Sequence, residues 1–258
     1  MDDFDLKPAS DLGLHPWERL SSVRRESGPF LTAAHVAWAL AARAYFALWH
    51  RLRVVGRERL PAEPPFVICA NHASHLDALA LAAPLRLDLR DRVFALAAGD
   101  VFFESGFATA FAAGFINALP VWRKKRTPKA LQELRAKLLG DPCGFILFPE
   151  GARSRDGNYL PFKPGVGMLV AGTAVPVVPC HLSGTFEAMP AGVRFPRPRR
   201  ITIRVGEAVR FADAANDREG WNRVVRVVED RVKELGTDSG RLAGRLTECG
   251  QDGRQAGR

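Results

Sequence analysis

The sequence predicts an α/β fold, a mixed, mostly parallel sheet covered by helices on both faces. Three observations carry this. Short β-like runs alternate with helix-like segments from Leu52 onward. The runs are apolar almost throughout rather than at alternate positions, as strands covered on both sides require. At 258 residues and 47% hydrophobic content, the chain can build one large core and stays within the range of a single α/β domain.

Taken in order, residues 1–28 form a polar N-terminal segment. Its opening, MDDFDLKPASDLG, is acidic and unlike the basic start of a signal peptide. Residues 29–50 form one helix around FLTAAHVAWALAARAYFALW, long enough to approach a bilayer's thickness. Arg43 lies inside it, however, at a cost of about 2.5–3.5 kcal/mol in a membrane-spanning helix. His35, Arg43 and His50 share roughly one face, while Leu31, Trp38, Tyr45 and Trp49 line another. That pattern fits an amphipathic, membrane-associating helix lying in an interface better than a span. A core-packing helix of a soluble protein is the plainer alternative.

Residues 51–235 form the main domain. Its β-like runs are RVVG (53–56), FVICA (66–70), VFALAA (93–98), FINALPVW (115–122), GFILF (144–148), VPVVPCHL (175–182) and ITIRVG (201–206). Helical patterns lie at His75–Pro84, Val101–Ala113, Pro128–Gly140 and Asp217–Leu235. PKALQELRAKLLG is the clearest: Pro128 opens it, Leu131, Leu134, Leu138 and Leu139 share a face, and Gly140 stops it. The last helix carries Trp221, Val224, Val225, Val228, Val232 and Leu235 on one stripe. Residues 236–258 are Gly- and Arg-rich without periodicity and read as a disordered basic tail. No internal repeat is present.

The 37 basic residues against 28 acidic give a net charge of +9, which favours anionic partners. These are nucleic acid, anionic lipid headgroups or phosphorylated ligands. Nothing matches a nucleic-acid-binding module. Cys69, Cys143, Cys180 and Cys249 include no CxxC pair, and three of them sit in apolar runs, which suits a reducing compartment.

The chemistry gathers where strands end, as it does in α/β folds. NHASHLD (71–77) follows the run FVICA. A neutral His72 suits a general base near neutral pH, and Asp77 would fix its tautomer. Five residues of ideal helix would point the two side chains well apart. They can meet only if His72 is in the loop and Asp77 in the first helical turn. Two structural alternatives stand beside this. Ser74-x-x-Asp77 resembles a capping box for a helix starting at His75, and His75 reads as a partly exposed helical residue. Metal ligation by His72, His75 and Asp77 lacks a matching second cluster. Ser74 as a nucleophile lacks the GxSxG turn.

A second junction, GFILFPEGARSRDG (144–157), puts Glu150, Gly151 and Arg153 after a buried strand. Gly allows close backbone approach and Arg offers a fork for phosphate oxygens. An exposed turn with a Glu150–Arg153 ion pair is the alternative. In LPFKPGVGML, Lys163 precedes the start of an apolar helix, a plausible anion site. PVWRKKR (120–126) supplies consecutive basic residues that read by default as a solvated face.

In this order, NHASHLD (71–77), INALPVWR (116–123), FPEGARS (148–154) and VPVVP (175–179) resemble the blocks of the 1-acylglycerol-3-phosphate acyltransferase family of glycerolipid acyltransferases. FKPG (162–165) is similar to a further block of that family. The resemblance covers about Leu52 to Phe211. Ala152 stands where the family commonly has Thr.

The resemblance implies transfer of a fatty acyl group from acyl-CoA or acyl-carrier protein to the hydroxyl of a lysophospholipid. The favoured acceptor is 1-acyl-sn-glycerol-3-phosphate, giving phosphatidate in phospholipid biosynthesis. His72 and Asp77 would be catalytic. Arg123, Glu150, Gly151 and Arg153, with Lys163, would bind the substrate. Neither a metal nor a cofactor beyond the thioester co-substrate is implied. The partners would be a lysophospholipid, the thioester and an anionic membrane surface, with no nucleic acid. The location would be peripheral or monotopic at the cytoplasmic face of the membrane. Another lyso-lipid acceptor, including an ornithine-type one, and a non-catalytic lipid-binding protein remain as alternatives.

Overall fold

The computed structural model describes residues 29–98, 117–121, 128–193 and 195–252. In chain order its elements are α1 (Pro29–Leu48), β1 (Arg53–Val55), β2 (Phe66–Ala70), α2 (Asp77–Ala82), β3 (Val93–Ala98), β4 (Ala118–Val121), α3 (Pro128–Gly140), β5 (Gly144–Leu147), α4 (Gly165–Val170), β6 (Thr173–Ser183), α5 (Thr185–Ala188), β7 (Thr202–Val205), β8 (Val209–Phe211) and α6 (Arg218–Asp252). The eight strands form one sheet in the order β1-β7-β6-β2-β5-β3-β4, with β8 also on β6. β2 pairs parallel with both β5 and β6, and among the described residues only β6 with β7 and β6 with β8 run antiparallel. The sheet is therefore mixed and mostly parallel.

Side-chain alternation along β2 explains the apolar runs. Val67 and Cys69 enter one core, with Leu134 and Leu138 of α3, Val166 and Leu169 of α4, and Val224, Val228 and Val232 of α6. Phe66, Ile68 and Ala70 enter the other, with Phe46 of α1 and Ala80 and Leu81 of α2. Successive strand residues point to opposite faces, so a strand buried on both sides must be apolar at every position.

Four sequence expectations change. The helix after NHASHLD starts at Asp77, not His75, with residues 75 and 76 in a turn. β8 is an additional strand, three residues long and too short to show a period. The expected tail is helical as far as Asp252, since α6 continues through it. Leu242, Leu246 and Cys249 follow Leu235 at intervals of seven, four and three, a continuation of the helical stripe that Gly236 and Gly240 obscure. The expected helix at 101–113 lies outside the described residues.

The fourth change concerns α1. His35, Ala39, Ala42 and Phe46 are buried in the domain, so the face expected to be polar begins inside the fold. His35 Nδ1 bonds Asp91. Arg43 Nε donates to the Ala83 carbonyl at 2.8 Å, and a second guanidinium nitrogen donates to that of Leu85. His50, also buried, donates from Nδ1 to the Arg199 carbonyl at 3.1 Å and meets the Tyr45 hydroxyl through Nε2 at 3.0 Å. Polar groups turn inward here because carbonyls and a carboxylate of the domain receive them. The outward face carries Ala33, Ala37, Leu40, Ala41, Ala44, Ala47 and Leu48. No helix among the described residues is long and apolar enough to cross a membrane.

Candidate active site

Because β2 and β5 are parallel neighbours, the loops that follow them emerge side by side. Asn71 turns the chain out of β2. Its side-chain amide donates to the Leu182 carbonyl at 3.0 Å and its side-chain oxygen accepts from the Leu182 amide at 2.8 Å. The side chain thus stands in for a strand backbone and frees the main chain to bend away.

His72 lies in the resulting loop and Asp77 in the first turn of α2, the one arrangement that lets them meet. His72 Nδ1 is 2.8 Å from Asp77 Oδ2. The same oxygen accepts the Ala73 amide at 2.7 Å and the Ser74 amide at 2.8 Å. The helix-start role and the imidazole-orienting role therefore coexist on one atom. An ionised carboxylate only accepts, so opposite one the neutral ring carries its proton on Nδ1 and keeps the lone pair on Nε2. Asp77 is 0% exposed and the His72 side chain 21% exposed, which leaves the ring in reach of a ligand. The ring stacks on Phe148 at the end of β5, with centroids 4.1 Å apart and planes 16° from parallel. Ser74 Oγ donates to the Met189 carbonyl at 2.8 Å, which ties this loop to the segment after α5.

Glu150 does not face outward as an acceptor-binding residue would. It is buried, and its two carboxylate oxygens accept the His72 amide at 3.0 Å and the Leu160 amide at 3.2 Å. Burial, opposed by those two hydrogen bonds, pushes its pKa up to about 7. It braces the histidine loop against the chain after β5, a role invisible in sequence because it depends on backbone atoms 78 residues away. Gly151 has φ 68°, a left-handed turn that favours glycine, and its amide bonds the Phe148 carbonyl at 3.0 Å. The Ser154 amide bonds the His72 carbonyl at 2.8 Å. Both amides are thus engaged within the loops and are poor oxyanion donors.

Arg153 lies close enough to the histidines for its charge to act on His75. The His75 pKa is lowered chiefly by burial, then by Arg153 and by His72. Lys163 joins the site's framework through its amide, which bonds the Pro149 carbonyl at 2.9 Å. Arg123 lies outside the described residues. The site therefore brings His72, Asp77, Glu150, Gly151 and Arg153 to one edge of the sheet. Sequence reasoning missed Phe148 as the ring's platform and Asn71 as the strap, although each is the first residue of a motif it chose.

A mostly parallel α/β sheet with this histidine–aspartate pair at its carboxyl edge sets the class. The Acyltransferase family model matches residues 51–183, a span that includes both junctions, and the chain belongs to that family. Among curated relatives, a 1-acyl-sn-glycerol-3-phosphate acyltransferase of Chlamydomonas reinhardtii is 34% identical over 67% of this chain and 50% of its own length. The 1-acyl-sn-glycerol-3-phosphate acyltransferase alpha of Mus musculus is 31% identical over 60% of this chain and 53% of its own. The chain spans about half the length of these relatives. The crystal structure of the 1-acyl-sn-glycerophosphate (LPA) acyltransferase of Thermotoga maritima superposes with a TM-score of 0.60 at 23% identity, covering 81% of this chain and 79% of that one, and shares the fold.

Proposed function

We propose that the protein transfers a fatty acyl group from an acyl thioester to the hydroxyl of a lysophospholipid, with 1-acyl-sn-glycerol-3-phosphate as the foremost acceptor and phosphatidate as the product. The observation that carries the reading is the 2.8 Å His72–Asp77 bond on a half-open imidazole. The curated relatives' names support the choice of acceptor.

His72 Nε2 takes the proton of the attacking hydroxyl as the oxygen–acyl bond forms. The carbon–sulfur bond then breaks, and the proton passes to the departing thiolate. Such a base contributes roughly 10²–10⁴ in rate. Asp77 holds the ring's tautomer and stabilises the imidazolium. A thioester is already activated, so no acyl-enzyme is required. Arg153, with Arg123, holds the acceptor phosphate, Gly151 lets it approach the loop, and Lys163 adds positive charge at the rim. Glu150 acts through the backbone it braces. The enzyme sits peripherally on the cytoplasmic face of a membrane, where a net charge of +9 favours anionic lipid.

The test is labelled acyl-CoA and acyl-carrier protein offered with a panel of lysolipids, including lysophosphatidate, neutral lysophospholipids and a lyso-ornithine lipid. Transfer to lysophosphatidate above the others is expected, with Arg153→Ala raising KM for phosphate-bearing acceptors by about tenfold or more. Transfer to none of them would end the reading.

A further inference from the structure

We propose that residues 195–200 form a membrane-contact element beside the catalytic site, in which Phe195 enters the acyl-chain region and Arg197, Arg199 and Arg200 hold anionic headgroups. This rests on the lipid-acceptor reading above. The segment, FPRPRR, lies between α5 and β7. Phe195 is 82% exposed, although a phenylalanine with a core available would be inside it. Arg197, Arg199 and Arg200 are exposed, and no Asp or Glu occurs between Ala188 and Gly206 to neutralise them. Pro196 and Pro198 fix the backbone φ on either side of Arg197.

The main chain is held at Arg197 and at Arg199–Ile201, while the Phe195 and arginine side chains are exposed. The Arg197 amide donates to the Ala188 carbonyl at 2.8 Å, and His50 takes the Arg199 carbonyl on Nδ1 at 3.1 Å and gives its own carbonyl to the Ile201 amide at 3.0 Å. Those anchors set the position. The Arg197 partner, Ala188, directly precedes Met189, whose carbonyl accepts from Ser74 of the histidine loop. The Arg199 partner, His50, comes directly after Leu48 and Trp49, which are 82% and 49% exposed. Apolar groups flanked by cations fit a bilayer with anionic headgroups. An acidic carrier protein would match the charge but leave the α1 face of Ala33, Ala37, Leu40, Ala41, Ala44, Ala47 and Leu48 unused.

The test is sedimentation of the full chain with phosphatidylcholine vesicles, with and without phosphatidylglycerol. The parent is compared with Phe195→Ala and with Arg197→Gln/Arg199→Gln/Arg200→Gln. The triple variant should bind phosphatidylglycerol-containing vesicles about a hundredfold more weakly, at about fivefold per arginine, with a shallower salt dependence of binding. Phe195→Ala should weaken binding to both vesicle types about tenfold. Transfer to a short-chain acceptor dissolved as monomers should be unchanged in both. Parent-like vesicle binding by both variants overturns the proposal. So does a defect confined to acyl-carrier protein as donor, which would make the segment a carrier-protein dock. If the parent transfers nothing to the monomeric acceptor, the catalytic reading fails while the vesicle comparison still decides this one.

Discussion

Asp77 Oδ2 accepts three hydrogens, from His72 Nδ1 and the amides of Ala73 and Ser74. Asp77→Asn keeps the shape but presents an amide nitrogen or a weaker oxygen to the same donors. Its kcat should fall by about 10²–10⁴ with KM little changed, read by steady-state acyl transfer. Glu150 carries a pH signature. Its folded pKa of about 7 lies above the ordinary 4.5, chiefly through burial, so the folded state holds this proton more tightly than the unfolded chain. Stability from this group is complete below pH 4.5 and is lost as pH rises through 7. His181, pushed down to about 4 by burial and then by Arg204, acts with the opposite sign: its contribution is lost as pH falls from 6.5 through 4. The difference between Glu150→Gln and parent isolates the first effect. The variant loses one acceptor at every pH, yet it should gain on the parent, on the order of 2 kcal/mol, between pH 5 and 7.5. Thermal melts across that range check it. At this scale the sequence displayed the His72–Asp77 pair, because H-x4-D is local. It hid the inward turn of Glu150, whose partners are the backbone amides of His72 in the loop after β2 and of Leu160 further along its own loop.

Among elements, α4 and α6 approach through a glycine. A Cβ on Gly167 would stand 2.5 Å from Trp221 Cα and 2.6 Å from its carbonyl oxygen. Both are backbone atoms that cannot rotate away. Gly167→Ala should therefore cost about 1–3 kcal/mol or more, measured by denaturant unfolding. α3 and β2 were legible because one has a clean period and a stop signal and the other an unbroken apolar run. The orientation of α1 was not. The helix is apolar on most sides, and its polar groups reveal a direction only when the carbonyls of Ala83 and Leu85 and the carboxylate of Asp91 are in place. The length of α6 was hidden by glycines within a stripe that otherwise continues.

For the whole molecule, α1 belongs to the domain as well as facing outward. Phe46 is fully buried in the core shared with β2 and α2. Removing residues 1–50 should therefore destabilise the fold by about 3–5 kcal/mol or more, the range for loss of one large buried aromatic. Removing residues 1–28 retains that contact. Comparative unfolding of the two truncations checks this, and equal stability would contradict it. The strand order joining β2 to both β5 and β6 could not be read from the chain, since pairing between distant segments leaves no local mark. What could be read was that chemistry follows two strands, and a parallel sheet brings such ends together.

The most direct measurement is the single-turnover rate of acyl transfer to lysophosphatidate by the parent and by His72→Ala, with the fold of each verified by its melt and lysolipid binding measured alongside. A drop of about 10²–10⁴ with binding retained is the result predicted for an imidazole that takes the hydroxyl proton. Equal rates in the two proteins would contradict it.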